Sequence, residues 1–197
     1  MSTERIGRAE RKTSETNVRV TLGLDGTGKS EIKTGLGFLD HMLDAVARHG
    51  RLDLTCSCEG DLHVDDHHTV EDVALSLGAA LADGLGDRSG ITRFGSAYAP
   101  LDESLARVVV DLSGRPGSVV DLGLQREMLG DVATENITHF FSSLAVGGML
   151  TLHVDVLRGE NDHHRAEAAF KALALALRQA VSRDGSSGVP STKGTLT

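Results

Sequence analysis

The sequence predicts an α+β chain built as a tandem duplication of a β-β-α-β-α unit, giving two mixed sheets with helices packed between them. Three observations predict it. Asp66-His67-His68-Thr69-Val70-Glu71 and Asp162-His163-His164-Arg165-Ala166-Glu167 share one pattern: an acidic residue, a His pair, two spacers and a Glu, each opening an Ala/Leu-rich stretch. A lone His precedes each copy, with His67 coming 26 residues after His41 and His163 24 residues after His139. Strand-like and helix-like periods then recur in the same order in both halves. Residues 1–100 form the first half-repeat with an N-terminal arm, and residues 101–197 the second with a C-terminal tail.

Taken in order, residues 16–24 alternate apolar and polar and read as a strand. Asp25-Gly26-Thr27-Gly28 is turn chemistry, and residues 29–33 alternate again, so the two segments read as a hairpin. Residues 38–48 carry apolar side chains at 38, 39, 42, 43 and 46, a helical period that ends at Gly50. A strand at 51–58 and a helix from about 69 to 85 complete the half, and Gly84, Gly86 and Gly90 break the pattern. In the second half, strands at about 104–112 and 117–124 flank the Gly114-Arg115-Pro116-Gly117 turn, followed by a helix near 134–146. A strand at 149–157 and a helix to about 182 close it. Neither half contains a repeated parallel βαβ series, which favours mixed or antiparallel sheets with helices on one face. A half of this size would be marginal alone, so the two helix layers are expected to meet. Cys56 and Cys58 fall on the apolar face of the 51–58 strand and read as reduced core residues. His63 and His153 both sit in Leu-His-Val and read as sheet residues.

Composition narrows the functional classes. The net charge is −8 and no basic run stands out, so neither nucleic acid nor an anionic membrane surface is an expected partner. The polar N-terminus has no secretory core and no apolar run is long enough to span a bilayer, so the expected location is the cytoplasm. One match is a decoy. Gly23-Leu24-Asp25-Gly26-Thr27-Gly28-Lys29-Ser30 fits the phosphate-loop pattern, but the mechanism requires a helix to begin at the Lys. Glu31-Ile32-Lys33 alternates and Gly35 and Gly37 follow, so no stable helix is expected there.

The His pairs carry the chemistry. His and Glu at i and i+4 lie on one helix face, about 5–6 Å apart at Cβ, and suit joint ligation of one ion. His67 and Glu71 have that spacing, as do His163 and Glu167. His68 and His164 point about 100° round the helix and are placed for a second ion. Each of two ions would then take one His–Glu pair, the odd His of the other repeat and one lone His. Imidazole with carboxylate suits Mn, Fe, Co, Ni or Zn, and the lack of Cys ligands argues against a thiolate structural site.

On these residues the chain resembles the imidazoleglycerol-phosphate dehydratase family. The matching motifs are Arg11-Lys12-Thr13-Ser14-Glu15-Thr16, Phe38-Leu39-Asp40-His41-Met42-Leu43, the two His-pair segments, His139-Phe140-Phe141 and Pro190-Ser191-Thr192-Lys193-Gly194, which span nearly the whole chain. The resemblance implies a lyase that dehydrates a small phosphorylated imidazole through an enol that becomes a ketone. It implies two Mn ions, one held by His67, Glu71, His139 and His164, the other by His41, His68, His163 and Glu167. It implies a homo-oligomer of 24 subunits with sites completed between neighbours. Glu15 is then the expected proton shuttle beside the substrate, and His49 and Lys171 the expected substrate contacts. Arg93, Arg115, Ser191 and Lys193 would hold the phosphate, which makes the tail a clamp. The strongest rival is a binuclear metallohydrolase on a small phosphoester, whose ions a carboxylate usually bridges. Here each Glu is assigned to its own ion.

Overall fold

The computed structural model describes residues 4–196. The first half runs β1 (Ile6–Lys12), β2 (Thr16–Gly23), β3 (Ser30–Lys33), α1 (Gly37–Gly50), β4 (Asp53–Gly60) and α2 (His67–Leu85). The second runs β5 (Phe94–Leu101), β6 (Ser104–Asp111), β7 (Gly117–Asp121), the short pair β8 (Met128–Leu129) and β9 (Val132–Ala133), α3 (Thr134–Gly148), β10 (Thr151–Arg158) and α4 (Asp162–Val181). The two four-stranded sheets have orders β1-β2-β4-β3 and β5-β6-β10-β7, which are the same order in equivalent strands. Both are mixed, as the duplication predicts.

Two features of each half differ from the sequence reading. Each begins with an extra strand, β1 or β5, so the repeating unit is β-β-β-α-β-α. These edge strands bury small residues, Gly7 in one and Gly95 and Ala99 in the other, so they carry no apolar alternation to read. Their backbones lie directly on a helix. A Cβ built on Gly7 would overlap the Ala80 carbonyl of α2, and one on Gly95 would overlap the Ala176 carbonyl of α4. Equivalent strands thus use equivalent glycines for the same close approach. The second difference is the predicted hairpins, which do not form. β4 lies between β2 and β3, antiparallel to the first and parallel to the second, and β10 does the same between β6 and β7. The turn residues join strands that are not neighbours, because β4 buries Leu54, Cys56 and Cys58 and takes the centre of the sheet. Each half therefore holds one parallel βαβ crossover.

Helices fill the space between the sheets. α2 packs on β1 and β2, α4 on β5 and β6, while α2 meets α3 and α1 meets α4. Helix contacts thus cross between halves, and the Phe140, Phe141 and Phe170 rings meet at centroid distances of 4.8–5.8 Å. Cys56 and Cys58 are free and buried, and burial pushes their thiols up to about 12 and about 11. His153 lies on β10 as read, but His63 sits in the turn after β4, because that strand ends at Gly60. The tail is folded along residues 90–93: Gly90 N–H donates to the Gly188 carbonyl at 3.0 Å, and Leu196 is buried. No helix among the described residues is long and apolar enough to cross a membrane.

Candidate metal centre

Four helix N-termini converge at one end of the helix layer. α4 begins with Asn161 as its cap, whose side chain accepts from the His163 and His164 amides. At the start of α2, Asp65 takes the His67 amide at 2.9 Å. Both His pairs are thereby fixed in the first turn of a helix, and the i, i+4 spacing puts each Glu beneath its His.

The packing of α2 on α3 and of α1 on α4 selects the third member of each group. His67, Glu71 and His139 form one cluster and His41, His163 and Glu167 the other, with donor atoms within 4.8 Å of one another in each. In the first, His139 Nε2 lies 3.0 Å from Glu71 Oε1, and the His67 and His139 rings stack at 5.0 Å. In the second, Glu167 Oε2 lies 3.3 Å from His41 Nε2 and 3.1 Å from His163 Nε2. Each cluster joins a His–Glu pair from one half to the lone His of the other. Two imidazoles and one carboxylate, partly exposed, suit a first-row divalent ion with positions left open. His67 Nδ1 is held by Asn136 Oδ1 at 2.8 Å, which leaves Nε2 free to face the cluster. Burial pushes the Glu167 carboxyl up, but its hydrogen bond to the Lys171 ammonium at 2.7 Å, with the two histidines, brings it below the ordinary value. Lys171 is thus tied to a cluster residue.

His68 and His164 lie outside both clusters. His68 Nδ1 faces Asp61 at 3.0 Å, and His164 Nδ1 faces Glu103 Oε2 at 2.8 Å. These hydrogen bonds to carboxylates raise the pKa of each ring. Glu103 is held well below the carboxylate range by the Asn161 amide, then by His164 and the Glu160 amide. A single chain therefore assembles three of each expected set of four ligands. Glu15 Oε1 stands 3.7 Å from His68 Nε2, beside that outlying ring. His49 is exposed in the last turn of α1, about 12 Å along the helix from His41.

The expected phosphate set gathers elsewhere. The Arg93 guanidinium forks onto Asp111 at 2.7 and 3.1 Å and donates to the Pro190 carbonyl at 2.7 Å. Its carbonyl accepts from Leu112, which leads to Ser113 and the Arg115 turn, and Ser191 Oγ accepts from the Lys193 amide at 3.2 Å. Arg93 N–H donates to the Ala180 carbonyl, 17 residues along α4 from His163, or about 25 Å of helix. Arg93, Arg115, Ser191 and Lys193 are thus near one another and far from this chain's own clusters.

The decoy loop is filled from within. The amides of Thr27, Gly28 and Lys29 all donate to Asp53 Oδ1, at 2.8, 3.0 and 2.9 Å, where a phosphate would otherwise sit. The Lys29 amide foremost, with those of Thr27 and Gly28, holds the Asp53 carboxyl below its ordinary value. That contribution is present above the unfolded-state pKa near 3.9 and is lost as pH falls through the lower folded value. Asp53→Ala should cost ~1 kcal/mol in urea unfolding and create no nucleotide binding.

Sequence reasoning missed Asn136, Asp61 and Glu103, which orient histidines. Asp61 and Glu103 belong to no shared motif, and Glu103 is 61 residues from its partner, so only Asn136, three residues before His139, stood near a visible signal.

A family model described as imidazoleglycerol-phosphate dehydratase matches residues 34–177. A Phytophthora nicotianae protein of that name is 60% identical over 94% of this chain and 41% of its own, longer sequence. One from Methanothermobacter thermautotrophicus is 57% identical over 100% of both chains. Among solved structures, the Pyrococcus furiosus dehydratase in complex with (S)-C348 superposes with TM-score 0.83 at 40% identity, covering 95% of this chain and 99% of its own. The Staphylococcus aureus dehydratase gives 0.81 at 38% identity over 90% and 99%.

Proposed function

The chain belongs to the imidazoleglycerol-phosphate dehydratase family and removes water from imidazole glycerol phosphate to give imidazole acetol phosphate in histidine biosynthesis; we propose that it does so at a two-manganese site. The observation that carries this reading is the crossed pairing of the clusters, in which neither half supplies three donors alone. His67, Glu71 and His139 would hold one ion and His41, His163 and Glu167 the other. His164 and His68 would complete them as fourth ligands from neighbouring copies, since both rings stand outside their own chain's clusters. When bound, such ions supply Lewis-acid stabilisation of negative charge on a coordinated nitrogen or oxygen.

The remaining work falls to side chains. Glu15, next to His68, is the proposed proton carrier, and joins the substrate wherever His68 joins a cluster. His49 and Lys171 are proposed substrate contacts, and Arg93, Arg115, Ser191 and Lys193 the phosphate cradle, with Arg93 already oriented by Asp111. A small substrate cannot bridge about 25 Å of helix, so imidazole and phosphate of one molecule would rest on different copies. We propose a cytoplasmic homo-oligomer of 24 copies on that basis and on the family resemblance.

Chelator-stripped protein should lose activity and regain it with Mn, followed through the enol absorbance of the ketone product in alkali. Release of inorganic phosphate instead would mark a hydrolase and overturn the assignment. Truncating the chain after Gly185 should raise KM about 10- to 100-fold, through lost charge-assisted contacts, while metal content per chain stays constant. An unchanged KM would remove the tail from the site.

A further inference from the structure

The two halves differ most in one connection. Between β3 and α1 the first half has three residues, 34–36, whereas between β7 and α3 the second half has residues 122–133 with the β8–β9 pair. This longer segment touches the N-terminal ends of all four helices. At its start, Gln125 and Arg126 amides donate to Asp162 Oδ2, the first residue of α4, at 2.8 and 2.7 Å. At its end, the Ala133 amide donates to Asp66 Oδ2, just before α2, at 2.9 Å, and the chain runs directly into α3. In between, Asp131 accepts from the Gly37 amide at 2.6 Å and the Phe38 amide at 3.1 Å, the first two of α1.

That last contact supplies what α1 lacks. Leu36, at its cap position, makes no side-chain hydrogen bond, so the free amides of the first turn find their acceptor in the other half. A carboxylate there also meets the positive end of the helix dipole. The segment then presses on the second cluster. Gly130 has φ +62°, and a Cβ there would stand 3.1 Å from Phe38 Cβ. The Phe38 ring in turn meets the His163 ring edge-on at 5.4 Å. Nor is it a loose loop: Leu129 and Val132 are buried, and Thr134 Oγ1 donates back to the Arg126 carbonyl at 2.7 Å.

We propose that residues 122–133 form a brace that fixes the helix starts carrying the two clusters, and that Asp131 is a positioning residue for His41 and, through Phe38, for His163. The inference deepens the two-metal reading and rests on it. It is tested by titrating the metal-free full-length protein with Mn²⁺ or Co²⁺, using calorimetry and the Co²⁺ visible bands. Wild type should bind two ions. Asp131→Ala should weaken one site about 10- to 100-fold, the size expected when a residue behind a ligand is removed, and leave the other within about two-fold. Asp131→Asn, which keeps an acceptor oxygen, should restore most of the affinity. In a Glu71→Gln background the Asp131→Ala loss should persist, and in a Glu167→Gln background it should vanish, because the affected site is then already broken. Should Asp131→Ala fold poorly, Gly130→Ala perturbs Phe38 with the cap intact and should weaken the same site. Equal loss at both sites, or a lowered Tm with unchanged affinities, would overturn the positioning role alone. A wild type that binds no metal would sink the two-metal reading and the positioning claim together.

Discussion

Glu167→Gln should lower kcat/KM by about 1,000-fold or more and remove one metal equivalent per chain, with the circular dichroism spectrum unchanged. Glu167 is the only carboxylate of its cluster, and its Oε2 lies within 3.3 Å of both His41 Nε2 and His163 Nε2. The amide keeps the shape and loses the charge that offsets a divalent ion. Ions at such sites supply several kcal/mol of transition-state stabilisation, and each 1.4 kcal/mol is about tenfold in rate. The substitution also removes the charge of Lys171's 2.7 Å partner in a mostly shielded pair, so a loss of roughly 1 kcal/mol in stability accompanies the kinetic effect. Glu71→Gln, its equivalent in the other half, should behave alike, and the double variant should be little worse than either because the ions act together. Activity within tenfold of wild type, measured with metal content by atomic absorption, would exclude this cluster from the reaction.

Gly95→Ala should be among the most destabilising changes of a single methyl, lowering stability by about 3 kcal/mol. The added Cβ would overlap the Ala176 carbonyl oxygen and approach the Ala180 Cβ at 3.1 Å. Both lie on α4 and the first is backbone, so no rotamer change relieves the overlap. β5 must move off the helix, at the expense of the dry contact behind Ala99 and Ala180. For a chain of this length the loss should appear as a fall in Tm of roughly 6–12 °C by differential scanning calorimetry of the metal-free protein. A fall under about 2 °C would mean that the strand yields freely. Gly7→Ala, at the equivalent contact with Ala80, should behave the same way.

Much of the site was legible in the chain because ligand geometry within one helix is a local property. His and Glu four residues apart share a face whatever surrounds the helix, so each His–Glu pair could be read without a structure. The orthogonal aim of His68 and His164 followed from the same rotation per residue. The duplication was legible too, because it repeats residues rather than contacts. The edge strands were not. β1 and β5 bury glycine and alanine against helices, and the alternation that marks a strand depends on large apolar side chains. The hairpin reading failed for a related reason: turn residues report a change of direction but not which strand will take the place alongside. Asp53, which fills the decoy loop, sits on that intervening strand.

The sequence by itself determined which atoms could bind metal, in what pairs, and that they come twice. Tertiary structure decided which lone His joins which pair. Packing of α2 on α3 brings His139 to His67 and Glu71, and packing of α1 on α4 brings His41 to His163 and Glu167. It also decided that Asp131 caps a helix 94 residues away, and that the phosphate-binding candidates lie at the far end of α4 from the clusters. The reason is physical: backbone periodicity fixes neighbours a few residues apart, whereas the meeting of distant helices depends on which faces they bury, and on where glycine and alanine let backbones touch.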